Sequence, residues 1–172
     1  IQMSGTRQHC EIDFFGGEPL LNWDVVKQTV EYIEQEAPKH NKIFKLTLTT
    51  NGMLLSQEKI DYVNEHKMSL VLSLDGREDV HNAMRPVAGS GANSYEYIAK
   101  NLVNAVKQRH GLEYYVRGTY THKNLDFTKD VLAMSDLGFE HLSMEPVVGE
   151  EGDYVLREED WPTLEKEYEK LA

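Results

Sequence analysis

The sequence predicts an α/β fold of parallel strands. Five apolar runs alternate with helical patterns in units of about thirty residues, a spacing that requires right-handed crossover connections. The residues with ligand-binding character fall together at the C-terminal ends of those runs, at 16–18, 50–52, 73–76, 117–121 and 145–148. Parallel sheets place their sites at that end, whether open or closed into a barrel. Periodicity alone fits a barrel-like arc and a flat doubly wound sheet equally well.

The first strand, 10–15, carries Ile12, Phe14 and Phe15 and breaks at Gly16-Gly17-Glu18-Pro19. Two glycines after a strand let the chain turn with positive φ, or pass very close to a ligand. Pro19 fixes the φ that follows the Glu18 carboxylate. This strand end therefore presents bare amides, carbonyls and one negative charge to something small and cationic. A helix over 23–37 follows, with Val25, Val26, Val30 and Ile33 near helical spacing, Asn22 as its cap and Pro38 as its stop. The second strand, 44–50, stops at Asn51-Gly52, and Ser56 caps a helix over 56–66. The third strand, 68–74, is almost continuously apolar and closes at Asp75-Gly76. Residues 77–93 read as one long connection ending in the small, polar VAGSGAN. A helix over 94–109 sets Ile98, Leu102 and Val106 on one face, and a strand over 112–121 follows it. The next helix, 126–137, ends at Gly138, a C′ glycine. A strand over 141–148, an acidic loop at 150–153 and a helix from 161 complete the pattern.

A length of 172 residues suits one domain with a sizeable core. A hydrophobic content of 40% with 27% charged residues reads as globular. No apolar run reaches the ~18 residues of a membrane span, and the N-terminus lacks the zones of a signal peptide. The net charge of −11 argues against nucleic-acid and membrane-surface partners. Residues 145–172 hold ten acids and three bases, −7 of that total, which marks an edge, a linker or a solvated helix. A single cysteine, Cys10, excludes an internal disulfide and a cysteine-based cluster within the chain, and a cytoplasmic location follows. Cys10 reads as a small buried strand residue. The seven histidines show no metal-ligand spacing and read as surface or loop residues.

Three stretches carry a family resemblance. FFGGEP after a strand resembles the motif that binds the methionine amino group in the radical S-adenosylmethionine superfamily. SLDG followed by REDVHNAMRP resembles the ribose-binding strand and following loop of its peptide maturases, the branch with a SPASM-type C-terminal region. The spread of EIDFFGGEPLLNW, HNAMRP and LSMEPVVGEEGDY is most similar to the maturases of six-cysteine (SCIFF) peptides, which form thioether crosslinks. The resemblance implies a partial (β/α)6 barrel over 1–148 with its first βα unit missing. The stretch 149–172 is then an acidic linker and the start of a helix into a further C-terminal region. It implies cofactor-binding roles for Gly16, Gly17, Glu18, Asn51 and Ser73, and for Arg85, twelve residues after Ser73, on the cofactor carboxylate. Asp75 either accepts a ribose hydroxyl or forms an Asx turn with Gly76. Arg117, an arginine inside an apolar strand, is either a cofactor contact or a structural ion pair with Glu18, Asp75 or Glu145. Val148 is placed against adenine. Arg77 has no assigned role.

The resemblance further implies S-adenosylmethionine and a 4Fe–4S cluster as cofactors, with a ribosomal Cys-rich precursor peptide and an electron donor as partners. The family's CxxxCxxC loop is not in this sequence, so no metal ligand and no acid–base residue is assigned, and the fragment by itself is expected to be inactive. The open strands at 10–15 and 141–148 invite self-association. A non-catalytic domain that binds a nucleoside or a peptide is the alternative. A phosphate-binding aldolase or isomerase barrel is disfavoured, because no Gly-rich phosphate loop follows the last strand and the only strand lysine is Lys45.

Overall fold

Alternation along each strand decides which face a residue serves. The computed structural model describes residues 1–172, the side chain of Gln2 excepted. In β1 (His9–Phe14), Ile12 and Phe14 turn inward while Glu11 and Asp13 are exposed. In β2 (Ile43–Thr50), Leu46, Leu48 and Thr50 are buried and Lys45 is exposed. β3 (Ser69–Ser73) is buried up to Ser73, and in β4 (Tyr114–Tyr120) Tyr114, Val116 and Tyr120 are buried while Tyr115 is exposed. With β5 (Leu142–Pro146) these strands pair in parallel, in the order β1-β2-β3-β4-β5.

The helices are α1 (Trp23–Glu36), α2 (Gln57–Glu65), α3 (Glu78–Met84), α4 (Tyr95–Lys107), α5 (Thr128–Asp136) and α6 (Trp161–Leu171). Val30 and Ile33 of α1, Ile60 and Val63 of α2, Ile98 and Leu102 of α4 and Met134 of α5 form one core with Leu46, Leu48, Leu70, Leu72 and Val116. Each such side chain contributes roughly 1.5–3 kcal/mol on burial. A one-residue register slip would turn a whole strand's share to water, so this face fixes the register. The opposite face is polar: Ser73, Arg117 and Ser143 stand side by side across β3, β4 and β5. A sequential order with the packed core on one face differs from a doubly wound sheet, which reverses order at a switch point and packs helices on both faces. β1 and β5 are free edges, so the described strands form an open sheet.

The connection at 77–93 is not all loop, because it contains α3. Seven residues with only His81 buried give no readable period, which is why the pattern hid it. One cap differs from expectation, and another is supplied from a neighbouring helix. Asn22 makes no side-chain cap bond. Ser94 turns its hydroxyl to Arg85 O at 2.6 Å, while Asn82 Oδ1 accepts from Ser94 N and Tyr95 N and so caps α4 from α3.

Within 149–172, α6 packs on the end of the sheet, with Leu164 buried against Tyr120 and Phe127. Tyr120 and Tyr168 join hydroxyls at 2.8 Å, and Thr128 N donates to the buried Glu167 at 3.3 Å. Among the described residues no helix is long and apolar enough to cross a membrane.

Candidate functional site: a polar cavity at the strand ends

β1 runs out into Gly16, which takes φ +128°, a value that glycine adopts freely. Gly17 does not need positive φ; a Cβ there would meet no atom within 4 Å. The two glycines thus divide the two uses open to them: Gly16 turns the chain, and Gly17 leaves space. Glu18 then caps the short 3-10 turn Pro19–Asn22 by accepting from Leu20 N at 3.0 Å. The same Oε1 accepts from Thr50 Oγ1 at 2.8 Å, and Oε2 accepts from Asn51 N at 2.8 Å. Glu18 is therefore the joint between the glycine turn and the end of β2. Thr50 Oγ1 in turn accepts from Gly52 N, and Asn51 Oδ1 from Met53 N, at 3.1 and 2.9 Å. Glu18→Ala is expected to lower unfolding free energy by about 2 kcal/mol, since three donors lose a charged acceptor. Urea unfolding monitored by circular dichroism reads it, and an unchanged midpoint would contradict this joint.

At the end of β3, Asp75 is buried and accepts from Arg85 Nε at 2.6 Å, Arg85 Nη2 at 3.1 Å and Thr119 N at 3.1 Å. No Asx bond to residue 77 forms; Arg77 N donates instead to Asp130 Oδ1 at 3.1 Å. Asp75 N donates to His81 Nδ1 at 3.3 Å. His81 is wholly buried, which corrects its reading as a surface residue; its ring packs edge-on to Tyr95. Burial pushes its pKa down to about 4, with the Asp75 charge opposing and the Arg85 charge assisting that shift. The unfolded chain therefore binds the proton more tightly. His81 should contribute full stability above its ordinary value of 6.5, lost progressively as the pH falls through about 4. His81→Asn, which keeps an acceptor for Asp75 N, is expected to flatten that part of the stability–pH curve. Equal slopes in the two proteins by urea titration would refute this.

Arg117 meets Glu145, alone of its three suggested partners, with Nε 3.0 Å from Oε1. The contact is off the N–H line, so Nε has no aligned acceptor, and Ser143 Oγ beside it has no partner either. Val148 lies beyond β5 and is 93% exposed. Cys10 is half-buried rather than buried, with Sγ 4.0 Å from Arg7 O.

A cavity of about 360 Å³ gathers most of these groups. Gly16, Gly17, Glu18 and Asn51 line one side, with Ser73, Arg85 and Arg117 opposite. Phe15, Thr49, Thr50, Thr119 and Glu145 also line it; Thr119 and Glu145 fall within the strand-end stretches 117–121 and 145–148 but were given no binding role of their own. Thr119 and Glu145 are register partners facing the same way as Arg117, so alternation along the last two strands brings them to the same face. Asp75 and Val148 do not line it. A second cavity of about 410 Å³ shares Glu18, Asn51 and Arg85 but is otherwise mostly apolar, with Leu21, Met53, Leu54 and Val87. Away from both, His122 Nδ1 bonds to Asp160 at 2.9 Å, and Glu159 joins them within 4.8 Å, a grouping that chain spacing did not suggest.

Residues 7–121 match the family description Radical SAM superfamily. The chain belongs to the radical SAM superfamily. Over 78 residues it is 33% identical to a cysteine-type anaerobic sulfatase-maturating enzyme of Clostridium perfringens (strain 13 / Type A), covering 45% of this chain and 21% of that protein. Over 100 residues it is 25% identical to the radical SAM cyclopropyl synthase TigE of Paramaledivibacter caminithermalis, covering 58% and 20%. The fold matches a solved structure described as native anSMEcpe with bound AdoMet and Kp18Cys peptide. The TM-score is 0.85 at 20% identity, over 98% of this chain and 48% of that one. The chain thus spans about a fifth of these curated relatives and about half of the solved protein.

Proposed function

We propose that the polar cavity binds S-adenosylmethionine, and that the protein this chain represents is a maturase of ribosomal Cys-rich peptides, forming a thioether crosslink. The supporting observation is convergence: the glycine turn after β1, Asn51 after β2, Ser73 at the end of β3, Arg85 at the end of α3 and Arg117 on β4 line one cavity. The unfilled space over Gly17 suits the cofactor's ammonium, with Glu18 providing negative charge beside it. Arg85 keeps Nη1 unbonded among the described residues, and a carboxylate fits that edge. Ser73 and Asn51 supply neutral polar groups for the remaining hydroxyls. When bound, the cofactor supplies the group that takes a hydrogen atom from carbon. In the thioether product one S–H and one C–H are lost and one C–S bond forms, so the peptide loses two protons and two electrons; S-adenosylmethionine, cleaved to methionine and 5′-deoxyadenosine, would take up both electrons and one proton, and the other proton would leave to solvent. The uncovered polar face of the sheet gives an extended peptide a wall of hydrogen-bonding groups.

An iron–sulfur cluster does not fit the residues of this chain. Cys10 is the one thiol, it lies on β1, and a single sulfur cannot furnish a cysteine ligand set. The same observation favours a second reading, a nucleoside- or peptide-binding domain without chemistry. Titration calorimetry with S-adenosylmethionine on this chain, followed by mass spectrometry of a Cys-rich peptide incubated with the reconstituted parent protein under anaerobic reducing conditions, separates the two. Binding together with a peptide lighter by two hydrogens supports the maturase. Binding with an unaltered peptide supports the binding domain, and no binding removes both assignments of the cavity.

A further inference from the structure

We propose that Asp75 is a positioning residue for Arg85: it holds the guanidinium so that one edge faces the cavity, and does not itself contact the ligand. This rests on the reading of the cavity as a site for an amino-acid carboxylate. Arg85 is the residue the two cavities share on the β3 side, and its side chain is 34% exposed, whereas that of Asp75 is 2% exposed. The pair is a fork: Nε and Nη2 donate to separate carboxylate oxygens, at 2.6 and 3.1 Å. A bidentate fork fixes the plane of the guanidinium as well as its distance. Free arginine side chains carry about 2 kcal/mol of rotamer entropy, so an arginine already fixed in place loses less on meeting a ligand.

The anchor is itself held. Thr119 N donates to Asp75 Oδ1 at 3.1 Å, tying the β3 end to β4. His81 accepts from Asp75 N and fixes its main chain. Its O accepts from Arg85 N at 2.8 Å, and Ser94 Oγ donates to Arg85 O at 2.6 Å. Both the backbone and the side chain of Arg85 are therefore restrained, from α3, the start of α4 and β3. An exposed arginine needed only for charge would have no use for such a frame, and a carboxylate needed only as a ligand would not be buried under it.

The test combines binding with a spectroscopic signature. In nitrogen-15 spectra the Arg85 Nε–H should be resolved and slow to exchange in the native protein, and fast in Asp75→Asn. By calorimetry with S-adenosylmethionine, Asp75→Asn and Arg85→Gln should each weaken binding roughly tenfold, the weak end for a charge-assisted bond. The double variant should be no weaker than Arg85→Gln alone. Arg85→Lys keeps a positive charge beside the buried Asp75 without the fork, so the fold is retained; it too should lose about tenfold. Arg85→Lys binding like the native protein would overturn positioning, as would additive losses in the double variant. If Arg85→Gln binds normally although the native protein shows the slow Nε–H, the carboxylate reading of Arg85 fails, and the proposal fails with it although the clamp itself is real.

Discussion

Gly76→Ala is expected to destabilise the protein by about 3 kcal/mol or more, through overpacking added to backbone strain. Gly76 sits at φ +102°, where an L side chain is strained even in open space. Here the space is filled. A Cβ would lie 2.2 Å from Asp130 Cβ and 2.6 Å from Asp130 Cα, inside α5. Because one of those atoms is helix backbone, relief requires moving α5 off the end of β3. That shift would open the bonds of Asp130 to Arg77 N and Asn124 as well. Gly89→Ala is the matched control, with φ +82° and no atom within 4 Å, and should lose only the strain, about 1 kcal/mol. Urea unfolding of both variants measures the difference. Equal losses would show that strain alone governs Gly76 and that α5 yields freely.

The strand–helix alternation was legible because each strand buries one face and each helix one stripe, and both periods survive in the sequence. The gathering of Gly16, Gly17, Glu18, Asn51, Ser73 and Arg117 was legible for a related reason, since parallel strands bring their C-terminal halves together whatever the loops do; Arg85, at the end of α3, was reached only through the family resemblance. What escaped depends on neighbours far apart in sequence. That Glu18 is consumed by Leu20, Thr50 and Asn51 follows from β1 lying beside β2, with Thr50 32 positions after Glu18. Asp75 looked like a ligand or a turn former, because nothing near it shows that Arg85 and Thr119 N occupy its oxygens. His81 hid in a helix too short for a period. The last strand, expected to reach Val148, stops at Pro146. The one-sided covering of the sheet could not be read, since an open parallel sheet and an arc share the same alternation.

Arg77, which the sequence left without a role, is expected to be among the costliest side chains to remove, with Arg77→Ala losing about 3–5 kcal/mol, the usual result of stripping one partner from a buried charge. Its Nε and Nη2 donate to Asp130 at 2.7 and 3.3 Å, and its Nη1 and Nη2 to Asp126 at 3.1 and 2.7 Å. The Asp130 side chain is 0% exposed. Without the guanidinium it retains only the Arg77 N–H and Asn124 Nδ2, two neutral donors for a full charge. Asp126 supplies an independent pH signature. Bonding to Arg77, with Lys129 assisting and burial opposing, lowers its pKa from 3.8 to about 2. The unfolded chain thus binds more protons between those values, so native stability rises with pH across that interval and holds above it. In Arg77→Ala that rise should shrink to the part Lys129 sustains. Because Asp126 is 40% exposed, the rise itself is modest and salt-sensitive. Adding Asp130→Asn to Arg77→Ala removes the stranded charge and should recover a large part of the loss. A double variant no more stable than Arg77→Ala would show that the arginine stabilises by packing its stem, with the ion pairs contributing little.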